Sequence, residues 1–299
     1  MTDRTTIGLL GLGPLGRGMF ETLSKAGRQV VAFDASPAAR ASIAPVPPGC
    51  DVVPSLFDLA TDADIVLSTL TDAPALTDAV MGDADVLGLG PALKPGAIVA
   101  HFGRGPHAGI LKLTGLLGAR GVGLIDVFTC QPLDHIRNGS MKMLAGGFTD
   151  LVERFAAAVA PLGTVERIGV TGIATGLGAL RGYVRAARLI ALSEAMLIGQ
   201  HAGIAPDVLA ETFDGPIGSG PDCCGLAGLS HCEARERLRI DDIYRHASDA
   251  VGFAERVGVA SECVSFSRDL LSDAMAVISG DDDESSLLKH FEAILRAAH

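Results

Sequence analysis

The chain has 299 residues, more than one hydrophobic core usually covers, and its formal net charge is -11 at pH 7. Its 48% hydrophobic and 20% charged residues exclude a disordered chain. So acidic a protein is not expected to bind nucleic acid, and no apolar run is long enough to predict a membrane span. The first residues lack the basic and long apolar regions of a secretion signal, so we expect a cytoplasmic protein with mostly free cysteines.

The first segment with a clear pattern, residues 7–34, predicts a strand, a glycine turn, a helix and a second strand. Gly11, Gly13 and Gly16 form G-x-G-x-x-G in the turn of this βαβ unit. The first glycine permits the tight turn, the second lets a pyrophosphate approach the backbone, and the third lets the helix pack closely on the strand. The turn, with Pro14 and Leu15 inside it, therefore predicts a dinucleotide site.

Asp34 ends the second strand and favours NAD over NADP. Its carboxylate accepts hydrogen bonds from ribose hydroxyls and repels a 2′-phosphate, so we expect NAD as cofactor, with NADP possible. Arg40 follows in the next predicted helix. Its charge would favour the phosphate, although a solvated helix residue is the simpler interpretation.

Buried-strand segments then alternate with helical ones, which predicts a doubly wound parallel sheet of the Rossmann type. The strands are expected at 63–70, 96–102 and 122–128, with short additions at 141–147 and 163–169. After about residue 170, helices replace the alternation, at 175–203, 206–213, 234–257 and 284–297. We therefore predict a dinucleotide-binding domain over 1–167 and an all-α domain over 168–299.

Several of these segments together resemble the β-hydroxyacid dehydrogenase family, which includes 3-hydroxyisobutyrate dehydrogenases and is related to 6-phosphogluconate dehydrogenase and to imine reductases. They are "IGLLGLGPLG", "ADIVLSTLTDAPAL", "LKPGAIV", "GARGVGLIDV", "GSMKMLAGG", and "RIGVTGIA" before a helix with "LSEAML". The resemblance implies NAD(P)-dependent hydride transfer on a small molecule bound between the two domains. It also implies a homodimer formed through the helical domain and places Leu70 and Thr71 near the nicotinamide half of the cofactor.

The positions that carry the family's chemistry differ in this chain. The family's Ser-Thr pair falls on Phe102 and Gly103, and its Ser-Gly-Gly substrate loop falls on Cys130, Gln131 and Pro132. The catalytic lysine falls on Gly178 and the following asparagine on Arg181. Glycine can neither move the hydroxyl proton nor stabilise charge on the oxygen. We therefore expect that other residues are catalytic, that the reaction takes place at a different kind of bond, or that the protein has no turnover.

Arginines and histidines near these positions are the candidate replacements. Arg181 is expected to anchor the substrate or stabilise an oxyanion, and Arg185 shares its helix face; the alternative for both is an ion pair. A proton donor is sought among His101, at the end of a strand, His135 and Tyr183, each of which could instead be a packing residue. The remaining candidates are Cys130, Gln131, Gly178 and Arg104 for the substrate and Arg245 for the cofactor.

We therefore expect an NAD(P)-dependent dehydrogenase or reductase acting on a small polar or anionic alcohol or carbonyl compound. The alternatives are an imine reductase-like enzyme and a dinucleotide-binding sensor or scaffold without turnover. No metal is expected, because the adjacent ligands of "CCGLAGLSHC", Cys223, Cys224, His231 and Cys232, are poorly spaced for tetrahedral coordination.

Overall fold

The structure is a computed structural model, and it describes residues 5–82, 87–129, 131, 133–213, 239–287 and 290–291. The chain divides into two compact units, Met1–Gly178 and Ala179–His299. This division falls within the long helix that begins at Ile173, whereas the sequence suggested a boundary just ahead of that helix.

The first unit is built on one sheet of eight strands in the order β3-β2-β1-β4-β5-β6-β7-β8. Every neighbouring pair is parallel except β6 and β7, which are antiparallel. The strands are β1 Thr6–Leu10, β2 Gln29–Phe33, β3 Cys50–Val52, β4 Ile65–Ser68, β5 Ile98–His101, β6 Gly123–Phe128, β7 Met141–Gly146 and β8 Gly163–Gly169. The predicted Rossmann-type sheet is confirmed; the short edge strand β3 was not predicted.

Helices cover both faces of this sheet. They are α1 Pro14–Lys25, α2 Pro37–Ala41, α3 Leu56–Asp62, α4 Ala73–Met81, α5 Leu89–Ala92, α6 His107–Gly118, α7 Asp134–Arg137 and α8 Thr149–Val159, followed by the start of α9 Ile173–His201. Alternate residues of a strand enter different cores: Ile65 and Leu67 belong to one hydrophobic cluster, and Val66 belongs to the other. Burial on both faces explains why these strands are nearly continuous apolar runs.

The second unit is helical in its described residues, as predicted. It contains the rest of α9, α10 Pro206–Phe213, α11 Ile240–Arg256 and α12 Glu262–Ala274, and its core includes Ala186, Ile190, Ile243 and Leu271. Helix α12 was not predicted. The segment expected to be a helix at 284–297 has a 3-10 turn at Glu284–Ser286, and most of its other residues lie outside the described part of the chain. Within the described residues, no helix is both long and apolar enough to cross a membrane.

Candidate functional site

The glycine turn between β1 and α1 has the geometry of a phosphate cradle. Gly11 has φ 97°, a conformation that favours glycine, and its N–H donates to the Phe33 carbonyl at 2.8 Å. A Cβ atom on Gly16 would overlap the Gly11 carbonyl oxygen, whereas one on Gly13 would meet no atom within 4 Å. Gly13 caps α1 without a side-chain hydrogen bond, so N–H groups of the first turn are left to face a ligand. These residues fit the pyrophosphate of a dinucleotide.

The predicted cofactor residues Pro14 and Leu15 begin helix α1 directly after this turn. Pro14 is its first residue, where the missing N–H removes no helical hydrogen bond. Leu15 is partly buried against the hydrophobic cluster under the turn. Both positions therefore fix where the helix starts.

Hydrogen bonds join the loop after β4 to the glycine turn and join the loop after β5 to the loop after β4. Thr69 Oγ1 donates to the Gly11 carbonyl at 3.0 Å, and Arg104 N–H donates to the Thr71 carbonyl at 3.0 Å. Leu70 lies between these contacts, partly buried. The structure thus brings the predicted residues Leu70, Thr71 and Arg104 to the carboxyl edge of the sheet. Thr69 was missed, although a hydroxyl directly after a buried strand was a usable signal.

Asp34 is fixed at the end of β2 by two backbone donors. Its Oδ2 accepts from Leu12 N–H at 2.7 Å, and its Oδ1 accepts from Ser36 N–H at 2.8 Å. Arg40 is half-buried with its guanidinium 5.5 Å from the centre of the Phe33 ring. Arg40 is thus partly solvated, and its guanidinium is also held against the Phe33 ring.

His101 is buried at the end of β5, with 0% of its surface exposed. Its Nδ1 lies 3.2 Å from Ser68 Oγ, and a Cβ on Gly103 would overlap its Nε2. Burial lowers the pKa of His101 to about 4, so the imidazole is neutral at pH 7. As placed, the ring reaches no solvent, and proton transfer from it to a substrate would need residues 102–104 to move.

Asp126 lies opposite His101 in the register of β5 and β6, and sequence reasoning did not assign it a role. Its Oδ1 accepts from Gly172 N–H at 2.7 Å and its Oδ2 from Thr175 N–H at 2.6 Å, at the start of α9. Burial raises the pKa of Asp126, and these two N–H groups oppose that effect. The carboxylate ties the start of α9 to the sheet. An acidic residue inside the apolar run "VGLIDVF" was the signal for it.

Gly178, the position predicted to correspond to the family's lysine, borders an aromatic ring. A Cβ atom on Gly178 would lie 3.3 Å from Cδ2 and 3.6 Å from Cε2 of Phe128, the last residue of β6. A side chain leaving α9 at this position would therefore run against the Phe128 ring. Arg181 lies three residues further along the same helix and is half-buried.

Two of the predicted residues in the loop after β6 are described, and they lie close together. Gln131 Nε2 is 3.5 Å from His135 Nδ1, which also lies 3.0 Å from Ser140 Oγ. Gln131 Oε1 accepts from the Lys142 N–H at the start of β7. Cys130 and Pro132, predicted in the same loop, lie outside the described residues.

Arg185 is not available as a substrate ligand. Its NH2 group contacts both carboxylate oxygens of Glu284, at 2.9 and 2.8 Å. The Glu284 side chain is 8% exposed and the Arg185 side chain 34%. The pair ties α9 to the turn at 284–286 inside the helical unit, so the ion-pair alternative holds for Arg185.

Tyr183 and Arg245 also have partners within the helical unit. Tyr183 packs partly buried on a cluster formed by Ala179, Ala250 and Val264, which favours its packing alternative over a proton-donor role. Arg245 NH2 lies 2.7 Å from Asp241 on the same helix, and its side chain is 57% exposed.

Metal binding finds no support in the described part of the chain, where no group of three or more His, Cys, Asp or Glu could hold an ion. Cys223, Cys224, His231 and Cys232 lie outside that part.

Comparison with known proteins decides the family. Residues 6–172, more than half of the chain, match the model of the NAD binding domain of 6-phosphogluconate dehydrogenase. The chain belongs to this family, among the β-hydroxyacid dehydrogenases. It is an NAD(P)-dependent oxidoreductase, so the predicted family, enzyme class and dinucleotide cofactor are confirmed.

Individual relatives of this β-hydroxyacid dehydrogenase are distant. L-threonate dehydrogenase of Cupriavidus necator is 28% identical over 217 residues, which cover 71% of each chain. The 3-hydroxyisobutyrate dehydrogenase of Mycobacterium tuberculosis, solved with L-serine, has a TM-score of 0.77 at 20% identity, covering 96% of this chain and 99% of that one. An imine reductase from Myxococcus stipitatus, solved with NAD+, has a TM-score of 0.59 at 16% identity, covering 96% and 99%. The two solved structures share the fold.

Proposed function

We propose that this protein transfers a hydride between NAD(P) and a small polar or anionic alcohol or carbonyl compound, with catalytic residues other than the family's lysine. The observation that carries the proposal is the contrast between two sites in the first unit. The glycine turn keeps its open position over Gly13, while Gly178 faces Phe128 where the family has a lysine. When bound, the nicotinamide supplies or accepts the hydride. The activity of relatives named for hydroxy acids, such as L-threonate dehydrogenase, supports the substrate class.

Arg181 is the proposed substrate anchor. A guanidinium binds a carboxylate in a bidentate manner and stabilises negative charge on oxygen, but it does not exchange a proton at neutral pH. Arg181 is assigned this role from its position, three residues after Gly178 on α9 and on the same helix face.

A different group must move the proton. His101 is fully buried and neutral, whereas His135 is only partly buried and its Nδ1 lies 3.0 Å from Ser140 Oγ. We therefore assign the transfer of the substrate proton to His135 rather than to His101. The role of His101 is to support the loop at 102–104. A histidine is suited to this role because its ordinary pKa is close to neutral.

A homodimer formed through the helical unit is part of the proposal. Helix α9 exposes large apolar side chains at Leu180, Val184 and Ile198, with 39%, 53% and 71% of their surface accessible. The spacing of the first two, four residues, puts them on one face of the helix. An exposed apolar stripe of this kind is typical of an association surface.

Imine reduction is the second candidate, and Gly178 and Phe128 are the observations that favour it. A protonated imine carries its own positive charge, so reduction needs no lysine to polarise the bond. An aromatic face attracts such a cation, whereas a lysine ammonium would repel it. The imine reductase of Myxococcus stipitatus shares the fold.

The decisive experiment has two stages. NADH and NADPH are first titrated into the protein by calorimetry, because a protein that binds neither would remove the central claim. Hydroxy acids, aldehydes and cyclic imines are then assayed at the absorbance of the reduced cofactor. Turnover that is lost in Arg181→Ala and retained in Arg188→Ala would support the anchor. Cofactor binding without turnover on the panel would favour a sensor or scaffold.

A further inference from the structure

The peptide group between Gly11 and Leu12, in the glycine turn, is held by a hydrogen bond at each end. Its N–H, on Leu12, donates to Asp34 Oδ2 at 2.7 Å, and its carbonyl, on Gly11, accepts from Thr69 Oγ1 at 3.0 Å. Asp34 follows β2 and Thr69 follows β4, the two strands that flank β1 in the sheet. Because the C=O and N–H of a trans peptide point in opposite directions, residues from both neighbouring strands can hold the same group. Its orientation is thereby fixed from two sides.

Thr69 is itself fixed by the sheet. Its N–H donates to the Leu10 carbonyl at 2.8 Å, which continues the pairing of β1 with β4. Its hydroxyl carries a single proton and lies 3.0 Å from the Gly11 carbonyl oxygen but 3.3 Å from that of Leu10. Leu10 thus already has a donor, whereas within the described part of the chain no other group donates to the Gly11 carbonyl. The hydroxyl is therefore the group that satisfies this carbonyl.

Two glycines of the turn leave the space that this hydroxyl occupies. A Cβ atom on Gly11 would lie 2.7 Å from Thr69 Oγ1, and one on Gly16 would lie 2.9 Å from it. Both distances are shorter than side chains tolerate. The first and third glycines of the motif therefore admit the Thr69 side chain, in addition to permitting the tight turn and the close helix contact.

Loss of the Thr69 hydroxyl would leave the Gly11 carbonyl without its donor. A carbonyl in that state gains a hydrogen bond by turning towards water, and rotation of the planar peptide would move the Leu12 N–H away from Asp34. Gly13 follows directly and caps α1, so the rotation would also redirect the N–H groups of the first helical turn. The two hydrogen bonds of this peptide therefore support each other.

We propose that Thr69 is a positioning residue for the cofactor. Its hydroxyl orients the Gly11–Leu12 peptide and, through it, both the diphosphate site at the start of α1 and the Asp34 carboxylate. A turn that already has its binding geometry needs less ordering when the cofactor binds, which raises the affinity. The inference rests on the NAD(P) cofactor of the proposed function and on none of its substrate assignments.

The test compares Thr69→Ser with Thr69→Ala, because these two variants differ only by the hydroxyl. Dissociation constants of NADH, NADPH and ADP-ribose are measured by calorimetry; ADP-ribose has the diphosphate but no nicotinamide. Hydrogen exchange of the Leu12 amide, measured by NMR without cofactor, reports on its bond to Asp34. Thr114→Ser and Thr114→Ala are the matched controls: Thr114 is also partly buried, and its hydroxyl also donates to a backbone carbonyl, that of Ile110 at 2.9 Å, but within α6.

Thr69→Ala is expected to weaken binding of the two cofactors and of ADP-ribose by the same factor, about three- to tenfold, which corresponds to one neutral hydrogen bond. The Leu12 amide should exchange faster than in wild type by about threefold or more, because its bond to Asp34 opens more often. Thr69→Ser should stay within about twofold of wild type in binding and in exchange, since the hydroxyl is kept. Both Thr114 variants should match wild type.

The contrary results overturn the inference in distinct ways. A loss for NADH and NADPH without a loss for ADP-ribose would mean that Thr69 contacts the nicotinamide half directly. Equally weak binding in Thr69→Ser and Thr69→Ala would assign the effect to the methyl group. A lower unfolding temperature in Thr69→Ala with unchanged affinity would make the role of the hydroxyl purely structural. These results leave the proposed function intact, whereas a wild type that binds neither cofactor would refute the proposed function as well.

Discussion

A Cβ atom on Gly178 would lie 3.3 Å from Cδ2 of Phe128, so the helix position predicted to correspond to the family's lysine faces an aromatic ring from β6. The Phe128 ring thus lies beside Gly178, a position that has no side chain to crowd it. Simply restoring the lysine would therefore place it against Phe128.

The first prediction tests that complementarity by a double-mutant cycle. Gly178→Lys is expected to lower the free energy of unfolding by about 1–3 kcal/mol, because the added side chain crowds Phe128. In a Phe128→Ala background the cost of the same change should be smaller by about 1 kcal/mol. Urea denaturation of the four proteins measures both values.

Gly115→Lys provides the control for this cycle. Gly115 is exposed in α6, and a Cβ there would meet no atom within 4 Å. Lysine is the better helix former, so this change should stabilise the protein by about 0.5–1 kcal/mol. Additive effects of the changes at 178 and 128 would contradict the proposed crowding.

The second prediction separates two glycines of the same turn. Gly16→Ala is expected to destabilise the fold by about 2 kcal/mol or more, since its Cβ would overlap the Gly11 carbonyl oxygen. Gly13→Ala should change the free energy of unfolding by less than about 1 kcal/mol, because space is open there and φ is -63°. Its effect should appear instead as a loss of cofactor affinity of about tenfold or more, since the methyl group occupies the approach of the pyrophosphate.

Thermal denaturation without cofactor and calorimetric titration with NADH distinguish the two variants. If Gly13→Ala bound NADH as tightly as wild type, the pyrophosphate would not approach the backbone at Gly13. If Gly16→Ala were as stable as wild type, the turn would have to relax around the new methyl group.

How much of this site the sequence predicts depends on how far apart its partners are in the chain. The strands and the glycine turn follow from local patterns, namely apolar runs and the spacing of three glycines. The bonds of Asp126 to the start of α9 join residues 46 and 49 apart, and Arg185 meets Glu284 across 99 residues. No local pattern identifies such partners, because packing of whole elements creates them.

The same difference between local patterns and distant contacts explains why the position of His101 was predicted but its burial was not. The position of His101 at the end of a parallel strand follows from the sequence and is correct. Its accessibility does not, since that depends on Gly103 lying over the ring. Glycine at position 103 allows the loop to lie over the ring, but the sequence alone does not show that the loop takes this path.

The third prediction concerns the two arginines that have partners in the helical unit. Arg185→Met should lower the free energy of unfolding by about 2 kcal/mol or more, because it leaves the buried Glu284 carboxylate unpaired. Arg245→Met is the matched control, since its partner Asp241 is one turn away on the same helix and its side chain is 57% exposed. That change should cost less than about 0.5 kcal/mol. Chemical denaturation measures both; equal effects would contradict the structural role of Arg185.

The last prediction is a pH dependence carried by His101. Burial lowers the pKa of this histidine from 6.5 to about 4 in the folded protein. The unfolded chain therefore takes up a proton before the folded protein does, and stability falls as the pH is lowered from 6.5 towards about 4. His101→Asn keeps a polar group near Ser68 but does not titrate. The wild-type free energy of unfolding, minus that of the variant, should thus decrease by up to about 1.4 kcal/mol per pH unit in this window and level off below it. Urea denaturation at closely spaced pH values measures this difference, and a difference independent of pH would mean that His101 becomes charged within the fold as readily as in water.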